Sequence, residues 1–425
     1  MGYARRMRSG PILIAIAVAA CGGDSPSGDG DASVDGTPAP DGAPGADIGP
    51  TGNPSGSCSA GVPARGQLVD TTTPDHVVGT GTAASCTFTA LQAAVTAGGT
   101  ITFACGPGVV TIPVTATLTL PSNRDTVLDG GRTIVLDGGG AVQLLRFDSP
   151  NFRALDTMVT LQRLALVNGK TTPTEASPSP RPAPCSQGWN DGEGGALYMR
   201  DGNLNVIDSV LRGNHAAPLG PDTGGGAIYV VGSKHGVVIA HSTFEDNGGS
   251  NAGAVGGLFA ELNIYDSLFQ RNVGEGHDAN NNDPAQCSFM NNGQNEIGSG
   301  GNGGAIYSDG ASVDVTLCGD RIVDNHAGTN AFGGGLFFTS NDFGGDLVIT
   351  DTVMAGNTGG HWTQVATGAT TNAGTAVGTN TRSLTITNSQ LQGTGSGVAT
   401  LRTPSRKSCH RDGVSFTVPA DESPR

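Results

Sequence analysis

The sequence is short of charge, of aromatic side chains and above all of basic residues. Only 14% of its 425 residues are charged and 5% are aromatic, and 22 Lys and Arg face 37 Asp and Glu, a net charge of −15. Between Gly213 and Thr381, three basic residues (Lys234, Arg271, Arg321) stand against sixteen acidic ones. Neutralising phosphates requires clustered Lys and Arg, so this balance argues against a nucleic-acid partner. A helical bundle or coiled coil needs Ala, Glu, Lys, Leu and Arg at roughly half its positions, and this chain falls far short. Glycine is abundant instead, at 69 residues. It has no every-third-residue period, which excludes a collagen-like chain.

What is present begins with an address. Arg5, Arg6 and Arg8 precede the apolar run from Ile12 to Ala20, which meets Cys21. The run is shorter than the ~20 residues needed to cross a bilayer and has the layout of an export signal. Val18-Ala19-Ala20-Cys21 resembles a bacterial lipobox, which implies a signal over 1–20 and lipidation of Cys21. Gly22 in place of Asp implies the outer membrane, so the expected location is the bacterial outer membrane or cell surface. From 22 to 57, ten Gly, six Pro, six Asp and five Ser leave Val34 and Ile48 as the only bulky apolar residues. Such a stretch buries too little surface to offset its ordering entropy, so 21–57 reads as a disordered tether.

The remainder repeats. With the chain aligned on Asn214, Asn247, Asn272, Asn325, Asn357 and Thr394, the positions ten, eight and three residues upstream are all apolar. They run from Leu204, Val206 and Leu211 in the first copy to Leu384, Ile386 and Leu391 in the last. Two apolar residues spaced by two, a bend, and then a third describe short strands with inward side chains. A second motif, Gly195-Ala196-Leu197-Tyr198, is echoed at Gly226, Gly256, Gly304 and Gly334. Its inward face is not decided by the pattern. Units of about 25–35 residues without helical periodicity predict a solenoid. The Asn column fits, because Asn tolerates left-handed turns and its amide can bond the amides above and below. A column six residues before it reads Asp208, His241, Asp266, Gly319, Asp351, Asn388, with no two consecutive Asp. Thr89-Ala90-Leu91-Gln92 fits a capping box opening a short helix, ended by Gly98-Gly99, that covers the first coil over 58–110.

Gly225-Gly226-Ala227-Ile228, Gly303-Gly304-Ala305-Ile306, Phe244–Asn247 and Phe269–Asn272 together resemble the passenger repeats of chlamydial polymorphic outer membrane proteins. The resemblance covers about 194–357. It implies an all-β, right-handed parallel β-helix used for surface display and adhesion. Those proteins end in a membrane barrel, whereas about thirty residues follow the last repeat here, so the Cys21 lipid would serve as anchor. The repeats accordingly occupy 111–400, followed by a tail over 401–425 whose solvated end is the expected state.

Parallel β-helices also host polysaccharide lyases and hydrolases, whose sites need carboxylates on outward strand positions. The outward positions nine and seven before the Asn (among them Asn205, Ile207, Val238 and Ala240) carry no charge. Non-enzymatic binding through the loops is therefore the expected function, with a lyase or hydrolase as the alternative. Insertions cluster between each Asn and the next glycine motif and so project from one side. Trp189 and Trp362 lie there and could stack on sugar or anchor a protein partner, or simply pin their loops. Glu275, Asp278 and Asp283 could bind Ca²⁺; no other cofactor is expected. Asp129-Gly130 and Asp137-Gly138 read as turns. Of eight cysteines, Cys86–Cys105 and Cys185–Cys287 are the expected disulfides, with Cys58, Cys318 and Cys409 unassigned. The expected state is a monomer.

Overall fold

The computed structural model describes residues 47–171, 192–220, 223–277, 300–359, 362–370, 376–379, 381–392, 400–402 and 416–417, within the compact unit Pro44–Arg425. Cys21, Trp189, Cys185, Cys287, Asp278, Asp283 and Cys409 lie outside them.

The eighteen apolar positions of the repeat form three columns in register. Leu204, Val237, Leu262, Val315, Leu347 and Leu384 pair in parallel from one repeat to the next. Val206, Ile239, Ile264, Leu317, Ile349 and Ile386 do the same two residues further on. Leu211, Phe244, Phe269, Ile322, Met354 and Leu391 make the third column. Phe244 and Phe269 lie flat on each other, with centroids 4.7 Å apart. All eighteen are buried in one core, because period-2 strands stacked in register turn the same side chain inward at every level.

A second parallel sheet closes the core from the other side. Its strands pair in strict chain order from Leu118–Thr119 through Leu145–Asp148, Leu197–Arg200, Ile228–Val231, Val255–Leu258, Ile306–Asp309 and Leu336–Phe338 to Val365–Ala366. Leu197, Ile228, Val255, Ile306 and Leu336 face the core, while Tyr198, Tyr229, Tyr307 and Phe337 turn to the opposite side. Register also corrects the alignment of this motif. The counterpart of Gly226-Ala227-Ile228-Tyr229 is Gly253-Ala254-Val255-Gly256, three residues before the copy expected at Gly256-Gly257-Leu258-Phe259. The aromatic position is taken there by Gly256, and the Tyr229 ring fills the space its Cβ would need. Backbone passes close to backbone at the glycine of this motif. A Cβ on Gly195, Gly226, Gly253 or Gly304 would stand 2.1–2.5 Å from the carbonyl oxygen of the next copy.

The only α-helix among the described residues is Phe88–Ala97. Its N-cap is Thr87, whose side chain accepts the Ala90 N–H, rather than Thr89 of the expected capping box. Leu91, Ala94 and Val95 cover the first level of the core, and Cys86–Cys105 closes the segment around the helix. At the other end Thr400–Arg402 and Phe416–Thr417 pair antiparallel with Gln390–Gln392 and Ser383–Thr387. These two pairings cover the last sheet edge where a solvated tail was expected, a standard way of blunting such an edge.

Residues 47–57 of the expected tether are instead laid along the outside of the first sheet, and 21–46 lie outside the described residues. Ile48 N–H donates to Arg132 O, Gly52 N–H to Thr243 Oγ1, Asn53 N–H to Asp266 O and Ser59 N–H to Asp351 Oδ2, climbing level by level. At the top Cys58 is bonded to Cys318, two residues that had no assigned partner. The strap then descends the sheet face. Gly66 lies against Val238 and Ala240, Arg65 donates to Asn205 Oδ1 and to the carbonyls of Leu204 and Gly236, and Val69 exchanges both backbone bonds with the Gln162 amide. Thr71 reaches Asp129 at 2.6 Å, and His76–Val78 joins the sheet beside Gly99–Phe103.

Asparagine binds the levels together. Asn214, Asn247, Asn272 and Asn325 each pass a backbone N–H and a side-chain Nδ2–H to the Oδ1 of the next Asn, at 2.9–3.1 Å, ending at Asn357. Each Nδ2 also donates to a buried carbonyl, Phe244 O in the case of Asn272. Asn272→Ala would take the Nδ2 donor from that carbonyl and the Oδ1 acceptor from both Asn247 donors, and would leave Asn325 Oδ1 only the backbone N–H of residue 272, a loss of about 2–4 kcal/mol. The expected outcome is a lower urea midpoint. Asn272→Asp, which restores acceptors but not donors, should be worse at pH 7 than at pH 4.

Candidate binding surface

The residue before each ladder Asn takes the left-handed conformation, at Gly213, Asp246, Arg271, Asp324 and Gly356, so the left-handed turn expected of the Asn falls one position earlier. The residue after each Asn then lines the corner. Lys170, His215 and Gly248 pair in one line of parallel bridges, and Val273, His326 and Thr358 in its continuation, with Gly248 opposite Val273. Lys170, His215, His326 and Thr358 are exposed. Glu275 lies 3.4 Å from His215 Nδ1, and His326 Nδ1 is 2.7 Å from Thr358 Oγ1. A polar seam therefore runs along the corner from which the insertions leave the stack.

Another surface, the outward face of the first sheet, is covered by the strap at its lower levels. Ile207, Val238 and Ala240 are buried there although they point away from the core. The carboxylates under and beside the strap are all engaged. Asp129, 2% exposed, accepts from Arg163, Thr71, Gln162 and the Gly131 N–H. Burial alone would raise its pKa, but these donors, Arg163 foremost, hold it below the ordinary carboxylate value. Asp208 is paired with Arg132 and Thr51, Asp266 accepts the Cys58 N–H, and Asp351 accepts the Ser59 N–H. The column Asp208, His241, Asp266, Gly319, Asp351, Asn388 is left-handed throughout, so backbone conformation selects these residue types, and the strap then uses their side chains. Asp129, expected in a turn, sits where the strand Thr126–Asp137 shifts register, with the local Asp129–Gly131 bond of a turn.

A hydroxyl column five residues before the Asn had escaped notice. Ser209, Ser242 and Ser267 accept N–H bonds across the levels or return their own hydroxyl to the carbonyl two residues back, as do Thr352 and Ser389. The sequence signal was available in the spacing: small hydroxyl residues at five of six copies. The sixth is Asp320, fully buried, accepting from Ser267 N–H at 2.8 Å and Cys318 N–H at 3.0 Å. Burial raises its pKa well above the ordinary value, and the neighbouring Asp266 adds to the rise against the pull of the Ser267 and Cys318 N–H groups.

The expected site residues fall in different places. Glu275 is on the seam, but among the described residues no three His, Cys, Asp or Glu side chains converge on a point where a metal could sit. Trp362 is not an exposed loop residue: it is 9% exposed, left-handed, and packed on Phe332 with centroids 5.8 Å apart. It occupies the level above Gly333 in the glycine motif and pins its segment to the stack, as its loop-pinning alternative requires. Comparison with known proteins gives no match: no family model, no curated protein and no solved structure aligns with the chain.

Asp320 sets the pH response. Its folded pKa lies above the ordinary value of 3.8, so from about pH 4 upward the native state holds a proton that the unfolded chain has lost, and this group's contribution to stability falls as pH rises, opposite in sign to that of Asp129. Asp320→Ser restores the hydroxyl column. It should raise the unfolding midpoint at pH 7 by an amount equivalent to about 1–2 kcal/mol and flatten this group's decline above about pH 4. An unchanged slope in urea titrations across that range would show that Asp320 does not set it.

Proposed function

We propose that this protein is a right-handed parallel β-helix, lipid-anchored through Cys21 at the bacterial outer membrane or cell surface, that binds a carbohydrate or protein ligand without chemistry. One observation carries the reading: the strap covers much of the outward strand face and occupies the carboxylates around it, while the polar seam and the insertions share an exposed corner. A carboxylate fixed by a guanidinium and two side-chain donors, as Asp129 is, has no lone pair free to take a proton from a substrate or to hold a cation. The seam, by contrast, offers hydrogen-bonding and titratable groups at Lys170 and His215 and again at His326 and Thr358, on levels set by the stack. The likeness to chlamydial passenger repeats and the sequence Val18-Ala19-Ala20-Cys21 supply the display and anchoring parts of the proposal.

The purified chain is expected to bind members of a polysaccharide or surface-protein panel, and binding should fall at least tenfold on His215→Ala with His326→Ala or on Trp189→Ala. Cleavage of any polysaccharide that disappears on neutralising a carboxylate would replace this reading with a lyase or hydrolase. Anchoring is checked separately: globomycin should make an uncleaved precursor accumulate, and Cys21→Ser should abolish palmitate labelling.

A further inference from the structure

The strap joins the stack in a way that treats tension at its two ends differently. Residues 47–57 hold to the corner by non-covalent bonds only: Asp47, Ile48, Gly49 and Thr51 at Arg132, Thr51 also at Asp208, Gly52 at Thr243, and Asn53 at Asp266 and Gly319. A pull from the N-terminal side loads these groups in turn, from Arg132 upward. At residue 58 the character of the attachment changes. Cys58 is covalently joined to Cys318, the last residue of the strand Val315–Cys318, which is paired on one side with Leu262–Tyr265 and on the other with Asp346–Thr350. Tension arriving there is shared over both ladders at once. The Asn and hydroxyl columns running through the same levels bind them further.

We infer that Cys58–Cys318 is a mechanical stop: tension on the N-terminal side peels residues 47–57 and then passes into the middle of the stack, bypassing the strap's descending leg, the helix and the levels before residue 318. The inference rests on the proposed N-terminal anchoring for its setting, because only an N-terminally tethered protein that holds a ligand feels such a load. The geometry explains two features that stability alone does not. The disulfide spans 260 residues and is placed at the apex of the strap, where the chain reverses. The descending leg beyond it is held mostly by side-chain bonds from Arg65, Gln162 and Asp129, and would peel as easily as the ascending one were the apex open. An open apex would lead the peeling straight to His76–Val78, a three-residue strand at the end of the sheet with a neighbour on one side only, and from there into the core.

The test is single-molecule stretching of the full chain carrying Cys21→Ser, held by its two ends, with Cys58→Ser/Cys318→Ser as the comparison. In the oxidised protein the first event should release about 40 Å (eleven residues at ~3.5 Å) at low force, followed by a clear rise in force. The ~900 Å held between the two cysteines should never appear. In the double variant the early release should continue without that rise, and ~840 Å should appear, the 19-residue span of Cys86–Cys105 staying closed. If the variant does not fold, adding a reductant to folded wild-type protein under load gives the same comparison, and Cys86→Ser/Cys105→Ser treated alike controls for the other disulfide. Equal forces for the second event with the disulfide closed and open would overturn the stop, as would a first event that already demands the force of the stack. Failure of palmitate labelling would remove the anchor while leaving the force measurement unaffected, so the two readings fail separately.

Discussion

Everything in this protein depends on satisfying polar groups inside a stack whose levels are joined edge to edge. A strand pairing in parallel with its successor satisfies its own backbone, but each bend between strands leaves N–H and C=O groups pointing at nothing. The ladder of Asn214, Asn247, Asn272, Asn325 and Asn357 closes one such corner, each amide serving the backbone of its own level and the amide of the next. The hydroxyl column does the same at the other bend, with one hydroxyl as acceptor across levels and donor within its own. Register follows from these columns as much as from the apolar ones. A slip of one residue in a strand would break its amide links to the neighbouring levels and turn its inward Leu and Ile outward.

The surfaces available for function are what these constraints leave over. Left-handed residues before each Asn turn the chain outward at one corner, and there insertions cost the stack nothing, since both neighbours of the insertion are already fixed. The outward strand face could have been a second open surface, but the strap takes much of it. Asp129 illustrates the consequence. A buried carboxylate beside an arginine has the composition of a reactive site, yet four donors, Thr71 of the strap among them, engage its lone pairs, and the depressed pKa expresses that engagement.

Much of the fold was legible because the apolar columns and the Asn column repeat with fixed offsets, so Leu262 and Phe269 could be placed relative to Asn272 before any coordinates. The glycine motif was misaligned at one level because Ala252-Gly253-Ala254-Val255 and Gly256-Gly257-Leu258 both resemble it, and only backbone pairing distinguishes them. The strap was not legible. Its residues, Gly-, Pro- and Ser-rich, bury little surface of their own and are held by side chains of distant repeats, for which local composition contains no signal. Yet the repeats did carry a trace of it: Ile207, Val238 and Ala240 are apolar at outward positions, which makes sense only if something covers them. The uncharged outward columns, read as the absence of a cleft, record a covering segment instead. Cys58–Cys318 could not be inferred either, because 260 residues of sequence separate two atoms brought together by the strap's path.

Asp320 is the one place where the columns compromise. Its neighbours in the column use hydroxyls that accept one bond and donate another. A carboxylate accepts twice, here from Ser267 and Cys318, and returns nothing unless it is protonated. The Cys318 N–H that it captures belongs to the residue carrying the disulfide, so Asp320 fixes the backbone on the stack side of the strap's apex while Asp266 fixes Cys58 on the other. Two carboxylates thus brace the two halves of one covalent link. Asp266 sits at the corner, 8% exposed, whereas Asp320 is fully enclosed. Burial raises the Asp320 pKa well above the ordinary value, with the neighbouring Asp266 adding to the rise against the pull of the two N–H donors. Protonation would give the position the donor that a hydroxyl has. The departure from the column is therefore tied to the strap. Where the repeat must hold an external segment as well as its own next level, a residue with an additional acceptor replaces the hydroxyl, and the cost is carried in the pH dependence of the fold.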